Sequence, residues 1–293
     1  MDTRVLVTGG NGFVGRNLKL LCPDWVYIGR KDCDLTDAKE TDIVFEKYSG
    51  YKLVHLAGKV GGLFYNLEQG PADMYHVNDL INTNVIRSAK KHGLTEGVVM
   101  LSTCIYPDIL AKKSLESPMK ESQIHDGLPH ASNLGYALAK RNLDNLCTMY
   151  RTNHTRLVPG NLYGPGDTCD PGRSHLVQGL VESIKSHKDG SVLIVKGQRD
   201  VTRQFVHVSD LCRVILKVIK TPPLYTTTIN VVNGPGITVE ELVKLLLNHF
   251  NKTARVVWDS GYAIGQKYKE CAPFQFTHMF IHRERVDFNT DGL

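Results

Sequence analysis

Residues 4–15 read Arg4-Val5-Leu6-Val7-Thr8-Gly9-Gly10-Asn11-Gly12-Phe13-Val14-Gly15. The apolar run before the first glycine is typical of a buried strand, and the apolar residues among and after the glycines begin a helical repeat. Glycines between a strand and a helix allow a tight turn and bring backbone N–H groups against a diphosphate, which the positive end of the helix dipole also attracts. The stretch therefore predicts a dinucleotide site that includes Gly9, Gly12, Phe13, Val14 and Gly15.

Strand and helix patterns continue to alternate beyond this turn. Strands are predicted at 4–8, 25–28, 52–56, 97–101 and 155–158, and helices at 38–48, 73–92 and 134–150. Such alternation gives a parallel sheet that is covered on both faces and joined by right-handed crossovers. The fold class is therefore α/β, a Rossmann-type doubly wound parallel sheet, and residues 1–160 are predicted to be the nucleotide-binding domain.

The pattern changes after Pro159, where turn-forming residues become frequent. A strand at 228–232 is predicted to return to the main sheet, so the segment of about 203–233 is assigned to the first domain. Residues 161–202 and 234–293 are predicted to form a smaller, discontinuous α/β substrate lobe. In the returning segment a helix is expected to be capped at Ser209 or Asp210. In the smaller lobe, Thr238-Val239-Glu240-Glu241 is a capping box for another helix.

Composition excludes several classes of protein. The chain has 293 residues, is 42% apolar and 22% charged, and its net charge of +5 is spread along the sequence, which does not favour nucleic-acid binding. Its seven cysteines are odd in number and lack C-x-x-C spacing, so we expect a reducing, cytoplasmic compartment and neither disulfides nor a metal site. No secretory signal is recognised, and no apolar run approaches the ~20 residues that span a bilayer.

The end of the second predicted strand indicates which dinucleotide is bound. An acidic residue there would bind the ribose 2′-hydroxyl of NAD, but this strand is followed by Arg30 and Lys31. Two cations suit a 2′-phosphate, so NADP is predicted, with solvated surface charges as the alternative. Asp34 and Leu35 are expected near the adenine, although Asp34 or Asp37 could instead cap the next helix.

Tyr136 and Lys140 stand four residues apart in a predicted helix, so their side chains share one face. A free tyrosine has a pKa of about 10, and a neighbouring ammonium lowers it by stabilising the phenolate. The pair is thus a candidate for proton transfer, although the same spacing is common on ordinary helix surfaces. Ser102-Thr103-Cys104, at the end of a predicted strand, strengthens the functional interpretation.

Together these features resemble the extended short-chain dehydrogenase/reductases. The resemblance extends from Arg4 to about Lys269, and its most specific element is Leu101-Ser102-Thr103-Cys104-Ile105-Tyr106-Pro107 beside the Tyr–Lys pair. Other matching segments are Lys59-Val60-Gly61-Gly62-Leu63, Asn161-Leu162-Tyr163-Gly164-Pro165, Ser174-His175 and Arg203-Gln204-Phe205-Val206-His207. Within the family, the chain is most similar to the branch that acts on GDP-4-keto-6-deoxy-D-mannose.

This resemblance implies an activity and residue roles. The branch epimerises the sugar at C3 and C5 and reduces it at C4 with NADPH, giving GDP-L-fucose. Tyr136 would protonate the C4 oxygen, Lys140 would lower the pKa of Tyr136 and hold the nicotinamide ribose, and Ser102 would hydrogen-bond the ketone. Cys104 and His175 would be the acid/base pair of the epimerisations.

The resemblance also implies binding residues and an assembly. The substrate would be contacted by Ser102, Asn161, Leu176, Lys196, Arg203 and Lys269, and the cofactor by Leu56, Ala57, Gly58, Tyr136 and Lys140 in addition to the residues above. A homodimer is expected through the helices near 73–92 and 134–150, the alternative being that these helices only pack on their own sheet.

The chemistry is coherent by itself. Epimerising a carbon beside a ketone requires groups on opposite faces that titrate near neutrality, and donors on the ketone oxygen stabilise the enolate.

Each candidate also has a purely structural interpretation. Cys104 could be a small buried side chain and His175 a helix cap, and His55 and His207 are expected to be packed. Two other functions stay open: an NAD-dependent sugar-nucleotide 4-epimerase, and a non-catalytic NADP-binding regulator.

Overall fold

The computed structural model describes residues 4–170, 172–221, 227–232, 234–261 and 265–274. The strands are β1 Val5–Thr8, β2 Val26–Ile28, β3 Lys52–His55, β4 Glu96–Met100, β5 Asn153–Pro159, β6 Asn161–Tyr163, β7 Val192–Lys196, β8 Thr202–Arg203, β9 Phe205–His207, β10 Thr228–Val231, β11 Ile237–Thr238 and β12 Arg255–Asp259. The helices are α1 Phe13–Leu21, α2 Ala38–Lys47, α3 Leu63–Gln69, α4 Pro71–Lys91, α5 Asp108–Ala111, α6 Leu134–Met149, α7 Leu176–Lys185, α8 Val208–Lys220 and α9 Val239–His249.

Six parallel strands form the main sheet in the order β10-β5-β4-β3-β1-β2. After β1 the chain passes first to β2 on one side and then to β3 on the other, with Val7 of β1 opposite both Tyr27 and Val54. The crevice at the carboxyl ends of the strands, where the strand order reverses in this way, is the usual ligand site of such sheets. The α/β fold class predicted from the sequence is confirmed, as is the return of residues 228–231 to the sheet.

Apolar side chains alternate between the two faces of the sheet, as the pleat requires. Leu6 and Leu53 point into a core that includes Phe45 and Val85. Val5 and Val7 point into the opposite core, which α8 covers. Each face is thus closed by helices, and within the described residues no helix is both long and apolar enough to cross a membrane.

A third apolar core lies outside the main sheet, between α7, α9 and the parallel pair of β7 and β12. The predicted capping box opens α9: Thr238 Oγ1 accepts from the Glu241 N–H at 3.1 Å, and Glu241 Oε2 accepts from the Thr238 N–H at 2.7 Å. These interactions satisfy N–H groups that the first turn of a helix leaves unpaired.

Some predicted elements differ from the observed ones. Residues 63–69 form helix α3, which was not predicted and which ends at Gly70, where φ is +77°. Helix α8 begins at Val208 rather than after a cap at Ser209 or Asp210, because His207 Nδ1 accepts the Ser209 N–H at 3.2 Å. An imidazole nitrogen thus performs the capping that the sequence assigned to a hydroxyl or carboxylate.

Helices α4 and α6 are in close backbone contact at Gly135, one residue before Tyr136. A Cβ built on Gly135 would overlap the backbone carbonyl of Pro71 at the start of α4. Because the obstacle is backbone rather than a flexible side chain, only glycine fits at this contact. The position of Tyr136 therefore depends on the absence of a side chain at residue 135.

Gly135→Ala should destabilise the protein. Alanine favours a helix by about 1 kcal/mol over glycine, but forcing atoms into a filled contact costs about 1–3 kcal/mol, and this contact cannot relax by a rotamer change. We expect a net loss of about 2 kcal/mol in the free energy of unfolding, measured by urea denaturation.

The matched control is Gly172→Ala, since a Cβ there would meet only Asp170 Oδ1 at 3.5 Å. It should change stability by less than about 0.5 kcal/mol. Equal stability of the two variants would contradict the assigned packing.

Candidate active site

The glycine turn after β1 lies against the end of β3. Gly9 has φ of +74°, and a Cβ on it would come within 2.7 Å of the Ala57 backbone nitrogen. Helix α1 starts after Gly12, with no side-chain cap and no acidic residue in its first turn in the described structure. Its first N–H groups are therefore available to an anion, and the turn fits a diphosphate at the helix N-terminus.

The residues after β3 connect this turn to the Tyr–Lys pair. Leu56 donates its N–H to the Thr8 carbonyl at 3.2 Å, which keeps β1 and β3 paired to their ends. A Cβ on Gly58 would lie 3.0 Å from Asn78 Oδ1 and 3.9 Å from Lys140 Nζ. The cofactor residues predicted at 56–58 thus occupy the narrow space between the glycine turn and Lys140.

The residues after β2 are placed at the rim of the same crevice. Arg30 and Lys31 are exposed, and Arg30 Nη2 lies 3.6 Å from Asp34 Oδ2. Asp34 accepts from the hydroxyl of Thr36 at 2.7 Å, and this bond is the main cause that lowers the pKa of the Asp34 carboxyl. The residue that caps α2 is Asp37, which accepts the Lys39 N–H at 2.7 Å.

Leu35 is buried in the core, and its carbonyl accepts from Asn84 Nδ2 at 3.0 Å. Any contact of Leu35 with an adenine ring would therefore be made by its backbone or by the edge of its side chain.

Ser102 and Tyr136 meet where β4 ends. Ser102 Oγ accepts the Cys104 N–H at 3.3 Å and so opens a short 3₁₀ turn over Thr103–Ile105. The Ser102 side chain lies close enough to the Tyr136 hydroxyl to lower the pKa of that phenol, against the larger effect of burial. Two hydroxyl groups therefore lie side by side, as a pair of donors for one carbonyl oxygen requires.

Lys140 does not lower the pKa of Tyr136 in this structure, contrary to the prediction from sequence. Burial raises the pKa of the Tyr136 phenol above that of a free tyrosine, and the neighbouring Cys104 raises it further. Lys140 Nζ donates to the Met100 carbonyl at 2.7 Å and lies 5.8 Å from the centroid of the Tyr136 ring. Burial lowers the pKa of Lys140 to about 8. The phenol is accordingly held in its protonated form, ready to donate.

Cys104 lies beside two cations. Lys269 Nζ donates to Cys104 Sγ at 3.5 Å, across 165 positions in the sequence. Burial raises the pKa of the thiol, but the charge of Lys269, the bond with Ser102 and the charge of Arg203 outweigh it, and the pKa of Cys104 ends below its ordinary value. Cys104 is therefore not a passive core residue, since its surroundings favour the thiolate.

The loop that carries Lys269 is held by backbone contacts. Arg203 Nη2 donates to the Gln266 carbonyl at 2.6 Å, and the Thr202 N–H donates to the Lys267 carbonyl at 3.0 Å. A Cβ on Gly265 would lie 3.6 Å from both Arg203 Nη2 and Leu63 Cδ2. Arg203 thus places a second positive charge near the Cys104 thiol. It also holds the loop that carries Lys269.

His175 stands just before α7, but its side chain does not cap that helix. Instead, Nδ1 lies 3.0 Å from Asp167 Oδ1 and 3.2 Å from Oδ2. Asp167 was missed by sequence reasoning; the only available signal was an acid eight residues before the histidine, after Gly164-Pro165-Gly166. A carboxylate at Nδ1 leaves Nε2 for proton exchange.

The N-terminus of α3 links the two halves of the site. Gly62 donates its N–H to the Arg173 carbonyl at 3.1 Å, and a Cβ on Gly62 would overlap the Ser174 carbonyl. The next residue, Leu63, packs near Gly265 on the loop of Lys269. The chain therefore brings the His175 segment and the Cys104–Lys269 pair together around residues 62–63.

The remaining substrate candidates lie in the smaller lobe or at its border. Asn161 opens β6 and donates its N–H to the Gln204 carbonyl at 2.8 Å. Leu176 is the first residue of α7 and packs on the third core. Lys196 is exposed at the end of β7, in register with Asp259.

Comparison with known proteins identifies the family of this chain. The model of the NAD dependent epimerase/dehydratase family matches residues 5–231, and the chain belongs to that family. It is 32% identical to the probable GDP-L-fucose synthase of Drosophila melanogaster, over 92% of this chain and 88% of that protein.

Solved structures give the same result for the fold. The crystal structure of a GDP-L-fucose synthetase from Naegleria fowleri bound to NADP aligns with a TM-score of 0.81 and 29% identity, covering 95% of this chain and 86% of that one. A GDP-6-OMe-4-keto-L-xylo-heptose reductase from Campylobacter jejuni aligns with a TM-score of 0.84 but only 19% identity, over 98% and 95% of the two chains, so it supports the fold alone.

Lys269→Met should raise the pKa of Cys104, because it removes the ammonium that favours the thiolate. An opposite charge at this distance shifts a pKa by about 1–3 units, so the pH midpoint of Cys104 alkylation by iodoacetamide should rise by at least about one unit. We would follow the Cys104 peptide by mass spectrometry in a Cys169→Ser background, since Cys169 is the other accessible thiol.

Lys267→Met is the control, since Lys267 is an exposed lysine of the same loop whose Nζ lies 2.6 Å from Asp200. It should leave the alkylation profile in place. An identical profile for the Lys269 variant would show that this ammonium does not set the state of the thiol.

Proposed function

We propose that the chain converts GDP-4-keto-6-deoxy-D-mannose to GDP-L-fucose with NADPH, the activity of a GDP-L-fucose synthase. It is an oxidoreductase that is also an epimerase. The observation that carries the proposal is the contact of Cys104 with Lys269 beside the Ser102–Tyr136 pair. An enzyme that only reduces a ketone has no use for an activated thiol at this place. An enzyme that also inverts carbons needs an acid/base group there that titrates near neutrality.

The cofactor is NADP(H), and the residues around the crevice fit it. The glycine turn and α1 accept the diphosphate, and Arg30 and Lys31 stand where a 2′-phosphate would lie. Lys140, beside Gly58, holds the nicotinamide ribose. The residues that would hold the cofactor are Gly9, Gly12, Phe13, Val14, Gly15, Arg30, Lys31, Asp34, Leu35, Leu56, Ala57, Gly58, Tyr136 and Lys140. When bound, NADPH supplies the hydride that reduces C4.

Epimerisation uses Cys104 and His175 on opposite faces of the sugar. One group takes the proton from C3, the electron pair forms a C3–C4 double bond, and the C4 oxygen becomes an enolate that Ser102 and Tyr136 stabilise by hydrogen bonds. The other group then returns a proton to the opposite face of C3 and restores the ketone. Solvent then exchanges protons with the two groups and restores their starting states, and the same sequence at C5 inverts the second centre. The sugar gains or loses no protons or electrons overall.

Reduction then uses the same hydroxyl pair. Tyr136 donates its proton to the C4 oxygen as the carbonyl becomes an alcohol, and the raised pKa of Tyr136 ensures that the proton is present beforehand. The neighbouring Ser102 side chain lowers the pKa of Tyr136 against the effect of burial and so stabilises the phenolate left behind. One polarised carbonyl thus serves both chemical steps.

The GDP-sugar is held by the smaller lobe, residues 161–202 and 234–293, of which 171, 262–264 and 275–293 lie outside the described residues. Arg203 and Lys269 are cations at the border of that lobe, and Ser102, Asn161, Leu176 and Lys196 complete the set. We place the protein in a reducing compartment, the cytoplasm; the odd number of cysteines and their lack of C-x-x-C spacing support this proposal.

The test is to incubate the protein with NADPH and GDP-4-keto-6-deoxy-D-mannose, follow absorbance at the NADPH band and identify the product sugar. The wild-type protein should give GDP-L-fucose. Cys104→Ala should lose epimerisation by about 10²–10⁴-fold, the range for one general acid/base, while still reducing C4, so that unepimerised GDP-rhamnose accumulates.

Tyr136→Phe is the complementary control, because it removes the proton donor for reduction and leaves the Cys104–Lys269 contact in place. GDP-rhamnose from the intact protein would contradict the roles of Cys104 and His175. Tightly retained NAD without NADPH turnover would favour a 4-epimerase, and NADPH binding without any turnover would favour a regulator.

We further propose that the protein is a homodimer joined through α4 and α6, the helices near 73–92 and 134–150. These two helices lie side by side, and the outward residues Val77, Leu80 and Leu138 are only partly covered. Exposed Tyr75 extends the same apolar surface. A two-fold contact between such helix pairs would bury these side chains.

Analytical ultracentrifugation should give twice the chain mass for the wild type. Leu80→Arg should shift the protein toward the monomer, because it places an unpaired charge in the contact. Leu245→Arg, at an exposed leucine of α9, is the control and should remain dimeric. A monomeric wild type would instead mean that the two helices only cover their own sheet.

A further inference from the structure

Asp167 is one of the most completely buried carboxylates in the described structure, and its partner is a candidate catalytic group. Its side chain is 2% exposed, whereas that of His175 is 38% exposed. Both carboxylate oxygens lie within 3.2 Å of His175 Nδ1, and Oδ1 also accepts the Thr168 N–H at 2.8 Å. Burial on this scale excludes a solvated surface pair, whose partners would be free to move.

The loop that carries Asp167 is fixed to helix α1. Arg16 Nη2 donates to the Gly166 carbonyl at 2.5 Å, and Asn17 Nδ2 donates to the Pro165 carbonyl at 2.9 Å. Gly166 has φ of +85°, a conformation that side chains rarely adopt, and this turns the chain so that Asp167 follows directly. The backbone directly before Asp167 is therefore anchored to α1.

We propose that Asp167 is the positioning residue of the epimerisation, holding the His175 ring so that Nε2 is the nitrogen that exchanges protons with the sugar. This inference rests on the proposed function and deepens it. It assigns a role to Asp167, a residue for which the sequence analysis predicted no function.

The donor and acceptor chemistry supports the assignment. An ionised carboxylate only accepts hydrogen bonds, so Nδ1 has to be the N–H nitrogen, and in a neutral ring Nε2 then carries the lone pair. When Nε2 takes a proton from carbon, Nδ1 keeps its bond to Asp167, and the same holds when the proton is returned. The ring can thus cycle between its neutral and protonated forms at C3 and at C5 without turning.

A structural role alone is the rival explanation, since Asp167 also orders the entry to α7. The two explanations differ in what they predict for variants that remain folded. Asp167→Asn keeps the shape and one acceptor oxygen, and Asp167→Ala removes both oxygens. Asp170→Asn is the matched control, because Asp170 is exposed on the same loop and accepts the Gly172 N–H at 3.0 Å rather than touching the histidine.

The experiment measures deuterium uptake at C3 and C5 of GDP-4-keto-6-deoxy-D-mannose in D₂O, with NADP⁺ present so that reduction is not completed. Asp167→Ala should slow the exchange by about 10- to 100-fold, the size seen when the partner that orients a functional histidine is removed. Asp167→Asn should recover part of the rate, and Asp170→Asn should match the wild type. The KM for the substrate should change little, since Asp167 does not touch it.

A second readout does not depend on activity. Nitrogen-15 spectra of histidine-labelled protein, with His175 assigned through a His175→Gln variant, should show the Nδ1–H tautomer in the wild type. In Asp167→Ala the spectrum should shift toward the Nε2–H tautomer, which is the commoner form of a free ring. Thermal unfolding of each variant accompanies both measurements.

The outcomes separate this inference from the proposed function. Unchanged exchange in Asp167→Ala, or an unchanged tautomer, would overturn the role of Asp167. Loss of exchange only in proportion to loss of folded protein would do the same. No exchange in the wild type would overturn the proposed function together with the catalytic part of this proposal, while the nitrogen spectra would still decide whether Asp167 fixes the ring.

Discussion

The site depends on one constraint, the parallel pairing of β1, β3, β4 and β5. Parallel strands all end at the same edge of a sheet, so the segments that follow them must converge there. The glycine turn follows β1, residues 56–58 follow β3, Ser102 follows β4 and Asn161 follows β5. Groups that are up to about 150 positions apart in sequence therefore share one crevice without any local signal that joins them.

Two reactive groups of the crevice each have a partner of suitable charge. Lys269 contacts Cys104 across 165 positions in the sequence, and Asp167 contacts His175 from eight positions before it. A cation beside a thiol favours the thiolate, and a carboxylate beside an imidazole selects which ring nitrogen carries the proton. Under the proposed function, Cys104 and His175 exchange protons with carbon, and these contacts with Lys269 and Asp167 prepare them for it.

The sequence was sufficient for those parts of the site that local patterns determine. The glycine spacing, the turn-by-turn relation of Tyr136 to Lys140 and the capping box at Thr238 all follow from helix and strand geometry, and the structure contains them. The contact of Lys269 with Cys104 is different, because two residues 165 positions apart leave no pattern that a single sequence reveals. Asp167 is only eight positions before His175 and was missed because no regular helix or strand spacing relates the two residues. The cap of α8 was assigned to a neighbour of His207 because hydroxyls and carboxylates are the commoner caps.

The state of Tyr136 shows a further limit of sequence reasoning. Spacing placed Lys140 correctly on the same helix face, but spacing carries no information on burial or on the Met100 carbonyl that takes the ammonium's hydrogen bond. The predicted direction of the pKa of Tyr136 was wrong, because desolvation depends on the whole surrounding fold.

Helix α1 contacts two different parts of the crevice. Its N-terminus faces the glycine turn, and its Arg16 and Asn17 side chains hold the carbonyls of residues 165–166, next to the carboxylate that faces His175. A small shift of this helix would thus move the loop that carries Asp167 together with the glycine turn. Helix α1 therefore couples these two parts of the crevice, so under the proposed function a substitution on the outer surface of α1 would alter the stereochemical outcome at the sugar as well as the affinity for the nucleotide.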